Sequence, residues 1–132
     1  MIEKLAIVSL IVKDLDEAFK FYTEKLGFEK VTDVMGPIHF LTVAPKKGND
    51  TEILLQVPDP KIFGDERATE LLNQIGKTSW IFKVEDCKNT VKELREKGVE
   101  ILNEPTDYPY GTQAEIADLY GNTFILLESK NV

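Results

Sequence analysis

Few residues in this chain could carry reactive chemistry. His39, in the stretch "PIHF", is the single histidine, and Cys87, in "EDCKNT", is the single cysteine. An imidazole titrates near neutrality, so His39 is a candidate general base. One thiol can form neither an intrachain disulfide nor a cysteine-based zinc site, and Cys87 reads as a buried or half-buried spectator. Ser9 and Ser79 have no His-Asp pattern near them in sequence, which makes a nucleophilic serine a poor reading. A catalytic divalent ion needs about three ligands drawn from His, Asp, Glu or Cys, with an open position left for substrate. With one imidazole and one thiol, that demand is hard to meet.

The elements that must position these residues can be read from hydrophobic period. Residues 5 to 12 are nearly all apolar, which predicts a strand buried on both faces. In "KDLDEAFKFYTEKLGF", Leu15, Ala18, Phe19, Tyr22 and Leu26 recur at helical steps, with Asp14 or Asp16 as cap and Gly27 as terminator. Strands are predicted at Glu29–Val34, Ile38–Ala44 and in "TEILLQV". The segment 59–77 opens on prolines and is the linker candidate, with a short helix near Glu66–Ile75. Then the order repeats: strand "SWIFKV", helix "EDCKNTVKELREKG", strand "VEILNEP", loop "TDYPYGT", and strands "QAEIAD" and "NTFILLES". Ser9–Asp14 aligns with Ile81–Asp86, and "TEILLQ" falls on the residues of "NTFILLE". Two copies of a βαβββ module result, module one at 1–58 and module two at 78–132.

Composition bounds the partners. A chain of 132 residues, 42% apolar and 30% charged, is an ordinary globular domain. A net charge of -7 offers no field for phosphates, which excludes nucleic acid and anionic membrane as expected partners. The run "LAIVSLIV" is too short to span a bilayer and lacks the flanks of a signal peptide, so a cytoplasmic location is expected.

The phrase "VKDLDEAFKFYTEKLGF", together with the closing "EPTDYPYGTQAEIADLYGNTFILL", resembles the vicinal oxygen chelate superfamily across essentially the whole chain. That group includes glyoxalase I, bleomycin-resistance proteins, fosfomycin-resistance enzymes and extradiol dioxygenases. The resemblance implies an α+β fold, the glyoxalase/bleomycin-resistance/dioxygenase fold, in which two paired βαβββ modules form a concave mixed sheet. The usual Asp-Pro-x-Gly-Asn turn of the family is written Asp118-Leu119-Tyr120-Gly121-Asn122, with turn chemistry retained by Gly121 and Asn122. The resemblance assigns the family's metal ligands to Ile7, Leu54, Ser79 and Ile125, none a conventional ligand. No metal and no cofactor is therefore expected. A one-residue slip toward Glu128 would put that carboxylate on the wrong face.

Alternation along each strand then sorts the faces. If Ile7 faces the cavity, so do Ser9 and Ile11, with Ser79, Ile81 and Lys83 on the equivalent strand. Glu52, Leu54 and Gln56 line one wall, and Thr123, Ile125 and Leu127 another. The resemblance to the dioxygenases puts Glu115 where an active-site tyrosine would stand; it reads either as functional or as a rim carboxylate paired with Lys83. Glu52 follows a loop and reads as solvated. Tyr108 and Tyr110 lie in the loop "TDYPYGT", over the mouth of the cavity. The expected ligand-binding set is Ser9, His39, Glu52, Gln56, Ser79, Lys83, Tyr110 and Glu115. The expected function is metal-free binding of a small, partly apolar molecule by a homodimer. The alternative is a lyase, isomerase or dioxygenase-like enzyme using a displaced metal or a His39/Glu115 acid-base pair.

Overall fold

The computed structural model describes residues 1–46 and 48–130. It divides into two compact units, Met1–Gln74 and Ile75–Val132. In the first unit the order is β1 (Ile7–Ile11), α1 (Leu15–Lys20), β2 (Glu29–Met35), β3 (His39–Ala44), β4 (Glu52–Gln56), α2 (Pro60–Phe63) and α3 (Asp65–Leu72). The second holds β5 (Trp80–Lys83), α4 (Cys87–Glu96), β6 (Glu100–Tyr108), β7 (Gly111–Ala117) and β8 (Thr123–Ser129). The sheets have the same order, β1-β4-β3-β2 and β5-β8-β7-β6, and in each the first strand runs parallel to the last. The expected α+β class and the duplicated βαβββ programme are thus both observed.

Local chemistry explains where the helices begin and end. The Asp14 carboxylate accepts from the Glu17 amide at 2.8 Å, and Asp86 accepts from Asn89 at 3.0 Å. Each satisfies an amide that a helix start leaves without an intrahelical partner. Gly27 and Gly98, at φ 74 and 82, close the two segments. Within the first, the helix widens into a π turn at Phe21–Lys25, where the Leu26 amide donates to the Phe21 carbonyl at 3.3 Å. This brings Phe21 as well as Tyr22 into the core, their rings edge-to-face at 5.3 Å. A constant 3.6-residue period predicts Tyr22 alone.

The buried side of the first sheet carries Leu10, Val43, Ile53 and Leu55; that of the second carries Ala114, Ile116, Phe124 and Leu126. The run at residues 5 to 12 departs from its expected two-sided burial. Leu5 and Ile7 are exposed, and only Leu10 to Val12 are buried. The expected loop "TDYPYGT" is likewise corrected. β6 continues through Tyr108 and β7 starts at Gly111, leaving a tight turn at Pro109-Tyr110.

The turn at Asp118 to Asn122 is the polar hub of the second unit. Asp118 Oδ1 accepts from the amides of Tyr120 at 2.8 Å and Asn122 at 2.9 Å, and Oδ2 accepts from Asn122 Nδ2 at 3.0 Å. Asn122 Oδ1 in turn accepts from the Gly76 amide at 2.9 Å. Both side chains are buried, so the bonds offset their desolvation. Leu119, standing at the family's proline position, points to solvent.

Candidate functional site

Register decides which side chains share a face, because directly paired residues project to the same side. In the first sheet Leu54 pairs with both Ser9 and Thr42, while Ile7 pairs with Glu52 and Ile11 with Gln56. These residues lie on the face opposite Leu10, Val43, Ile53 and Leu55. Ile7 and Ser9 are exposed at its margin, Glu52 and Gln56 are half-buried, and Thr42 and Leu54 form a buried floor.

Glu52 is not simply solvated, as its position after a loop suggested. Its Oε1 accepts from Thr42 Oγ1 at 2.6 Å and from Thr32 Oγ1 at 3.0 Å, while the Thr32 amide donates to Thr42 Oγ1 at 3.0 Å. Two hydroxyls from neighbouring strands therefore hold one carboxylate in a fixed orientation. Thr32 and Thr42 were not anticipated; they lie on β2 and β3, which reach Glu52 only after the sheet has formed, so there is no local sequence signal.

His39 departs from the expected set. Alternation along β3 from Thr42 puts Phe40 on the Glu52 face and His39 with Leu41 and Val43 on the other. There its Nε2 lies 2.6 Å from Asp33 Oδ1, and Lys30 Nζ lies 3.3 Å from Asp33 Oδ2. The His39 bond, followed by that of Lys30, holds the Asp33 carboxyl below the ordinary aspartate range. The acid-base pair expected as an alternative divides between units: His39 bonds Asp33 in the first, and Glu115 bonds Asn103 in the second.

In the second sheet Ile125 pairs with both Ile81 and Glu115, and Leu127 pairs with both Lys83 and Gln113. These six residues share one face, and Ser79, just before β5, is exposed. Ile81 is 60% exposed, unusual for a large aliphatic side chain in mid-strand. Glu115 accepts from Asn103 Nδ2 at 2.8 Å, so the expected pairing with Lys83 is replaced by a neutral donor. At the hairpin end of this face Tyr110 donates from its hydroxyl to Gln113 Oε1 at 2.9 Å. Its ring stacks on Tyr108 with centroids 5.4 Å apart and planes inclined by 5°. Gln113 was missed; its spacing from Glu115, two residues along one strand, was the available signal.

Glu128 and Cys87 belong to the opposite side of this sheet. Glu128 Oε1 accepts from the Cys87 amide at 2.8 Å, adding a carboxylate to the start of α4. Burial, then the charges of Glu128 and Asp86, push the Cys87 thiol up, away from the reactive thiolate. Its Sγ lies 3.7 Å from the Leu126 carbonyl.

The donor set does not fit the metal that the resemblance would imply. Ile7, Leu54, Ser79 and Ile125 offer three hydrocarbon side chains and one hydroxyl. Among the described residues, no three His, Cys, Asp or Glu side chains gather where they could hold one ion. An apolar lining at such positions disfavours a hydrated cation.

The family model described as Glyoxalase/Bleomycin resistance protein/Dioxygenase superfamily matches residues 4–126. The chain belongs to that superfamily. It is 35% identical to YetH of Bacillus subtilis (strain 168) over 130 residues, covering 97% of this chain and 100% of YetH. Among solved structures it is similar to UcmS2, with 36% identity, a TM-score of 0.87, and coverage of 98% of this chain and 100% of the other. It is also similar to TnmS3, an antibiotic binding protein from Streptomyces sp. CB03234, at 28% identity and a TM-score of 0.80, covering 98% of each chain. Superfamily membership is compatible with several chemistries, because this fold hosts both enzymes and binding proteins.

Proposed function

We propose that this superfamily member binds a small, partly apolar molecule without a metal ion, as a binding protein and not as a catalyst. The observation that carries the reading is the chemistry of the four positions the resemblance assigns to metal ligands: Ile7, Leu54, Ser79 and Ile125. The accessible sheet faces around them combine apolar floor with isolated polar points, Ser9, Glu52 and Gln56 in the first unit and Ser79, Lys83, Tyr110 and Glu115 in the second. That mixture suits a small-molecule surface, where hydrocarbon supplies affinity and a few polar groups supply orientation. Similarity to TnmS3, itself an antibiotic binding protein, supports the same reading. A homodimer and a cytoplasmic location form part of this proposal; no helix among the described residues is long and apolar enough to cross a membrane.

The test has two arms. Elemental analysis and titration with nickel, zinc, manganese and iron(II) should give no stoichiometric uptake. Titration with the neutral apolar fluorophore Nile red should give saturable binding in the micromolar range. Tight one-to-one metal uptake, or an absence of saturable dye binding, would overturn the proposal. Light scattering on the eluting protein checks the dimer, which a monomer mass would exclude.

A further inference from the structure

We infer that the hairpin of β2 and β3 carries a binding site for a soft monovalent cation, copper(I), built from the Met35 thioether and the His39 imidazole. The site goes beyond the small-molecule reading and stands on the other face of the first sheet, away from Leu54 and Glu52. Three observations within the first unit converge on it. The first is register. Met35 and His39 are cross-strand partners at the closed end of the hairpin, where the Gly36 amide donates to the Ile38 carbonyl at 2.9 Å. Direct partners project to one face with Cβ atoms about 5 Å apart, so a thioether and an imidazole start side by side.

The second observation is the orientation of the ring. Asp33 lies on the same face, with its Oδ1 2.6 Å from His39 Nε2, and Lys30 Nζ holds the other oxygen at 3.3 Å. An ionised carboxylate only accepts, so Nε2 carries the proton and the neutral ring keeps its lone pair on Nδ1. A carboxylate behind an imidazole fixes the ring and its tautomer and makes the other nitrogen a better donor to a metal ion, an arrangement that metal-binding histidines share.

The third is the freedom of the thioether. Met35 is 72% exposed, so core packing does not lock its sulfur, and its three rotatable bonds let the sulfur swing toward Nδ1. The His39 side chain keeps 33% exposure, which leaves the ring open to an ion. One thioether and one imidazole match copper(I), a soft ion for which sulfur donors are selective. Nickel, zinc, manganese and iron(II) need about three ligands, and here Asp33 is already engaged by His39 and Lys30. The net charge of -7 adds a general attraction for cations.

The experiment titrates the protein with silver(I), a soft monovalent probe, in chloride-free buffer and follows the methionine methyl and histidine ring signals by NMR. The chain has two methionines, Met1 and Met35, and one histidine, so each signal reports one residue. The Met35 methyl and the His39 ring should shift together and saturate at one equivalent with a micromolar midpoint, while Met1 stays in place. Met35→Leu, read on the His39 ring, and His39→Gln, read on the Met35 methyl, should each weaken uptake by about tenfold or more, and Asp33→Ala by about tenfold. Met35→Cys, which restores a soft sulfur, should recover the parent affinity and separates lost ligation from a damaged hairpin. Cys87→Ala, which removes the chain's only thiol, should leave the Met35 shift as it was. Copper(I) kept reduced by ascorbate should displace silver(I) from Met35, and zinc should not shift it. An unchanged His39 response in Met35→Leu, a Met35 shift that vanishes in Cys87→Ala, or an equal response to zinc would overturn this inference. Neither ligand stands on the Leu54 face, so that result would leave the small-molecule reading standing.

Discussion

Replacement of Asp118 by alanine probes whether the turn at Asp118 to Asn122 is architecture or chemistry. The carboxylate accepts three hydrogen bonds, from the Tyr120 and Asn122 amides and from Asn122 Nδ2, all between 2.8 and 3.0 Å, and is only 6% exposed. Truncation strands three donors. Water can reach the Tyr120 amide, on a half-buried residue, but not Asn122, which is 1% exposed. At about 1–2 kcal/mol for each of the two Asn122 donors that water cannot reach, the loss is about 2–4 kcal/mol. The release of Asn122 also slackens its hold on the Gly76 amide at the entry to β5. For a chain of this size a kcal/mol corresponds to about 3 °C, so the midpoint of thermal unfolding should fall by about 6–12 °C. Thermal unfolding followed by circular dichroism reads this directly. Asp118→Asn keeps the shape and one acceptor oxygen and should lose about half as much. Arg67→Ala, which breaks an exposed pair with Glu70, should change almost nothing. A midpoint for Asp118→Ala within about 3 °C of the parent would refute the argument, because the donors must then find water as readily as they found the carboxylate.

Three further outcomes follow. Gly111→Ala should destabilise by about 3 kcal/mol or more, since its Cβ would lie 2.3 Å from the Glu128 carbonyl oxygen in a paired strand at φ +148. Gly48→Ala, at φ +83 with nothing within 4 Å of its Cβ, should cost only about 1 kcal/mol, and equal losses at the two sites in chemical denaturation would contradict this. Asp33 has a depressed folded-state pKa, so its contribution to stability is present above the unfolded aspartate value and lost as pH falls through the lower folded value. Carboxyl NMR should accordingly find Asp33 titrating below an ordinary aspartate, and His39→Asn should move it upward; an unmoved midpoint would mean that Lys30 alone sets it. Thr42→Val removes a buried hydroxyl 2.6 Å from Glu52 and should cost about 1–3 kcal/mol in the same denaturation assay, whereas a neutral result would show the carboxylate anchored by Thr32 alone.

Much of the architecture was legible because it depends on local signals. Asp14 and Gly27 mark the bounds of the first helical segment, and the repeated polar turn before "EILLQ" and "TFILLE" marks the duplication. Glu128 was legible too, since alternation puts it on the helix side, where it bonds the Cys87 amide. What escaped was set by partners far along the chain. Thr42 and Thr32, 10 and 20 residues from Glu52, fix that carboxylate, and no reading of one strand reveals it. His39 was misplaced because its parity follows from the pairing of Thr42 with Leu54, which is a fact about register. The loop at "TDYPYGT" was overcalled because Pro109 and Gly111 look like turn residues. Gly111 is instead a strand residue, required by the close approach of the Glu128 carbonyl. The apolar run at residues 5 to 12 suggested two-sided burial, yet composition alone cannot say whether a strand's second face is covered.

Duplication makes the two sheets comparable position by position, and the comparison bears on chemistry. Leu54 and Ile125 are equivalent, each flanked on the neighbouring strand by Thr42 and Glu115 respectively. The first unit therefore carries its carboxylate on β4, at Glu52, with a hydroxyl on β3. The second carries its carboxylate on β7, at Glu115, with a hydroxyl on β8, at Thr123. A divalent-ion site would need donors converging on one point, but Glu52 and Glu115 stand at unmatched positions of the two sheets. Each is oriented by neutral donors, Thr32 and Thr42 for Glu52 and Asn103 for Glu115, and not by a basic side chain. A carboxylate fixed in that way keeps its charge unpaired and directional. It is suited to accept a hydrogen bond from a guest, and a single one is insufficient to strip the hydration of a divalent ion.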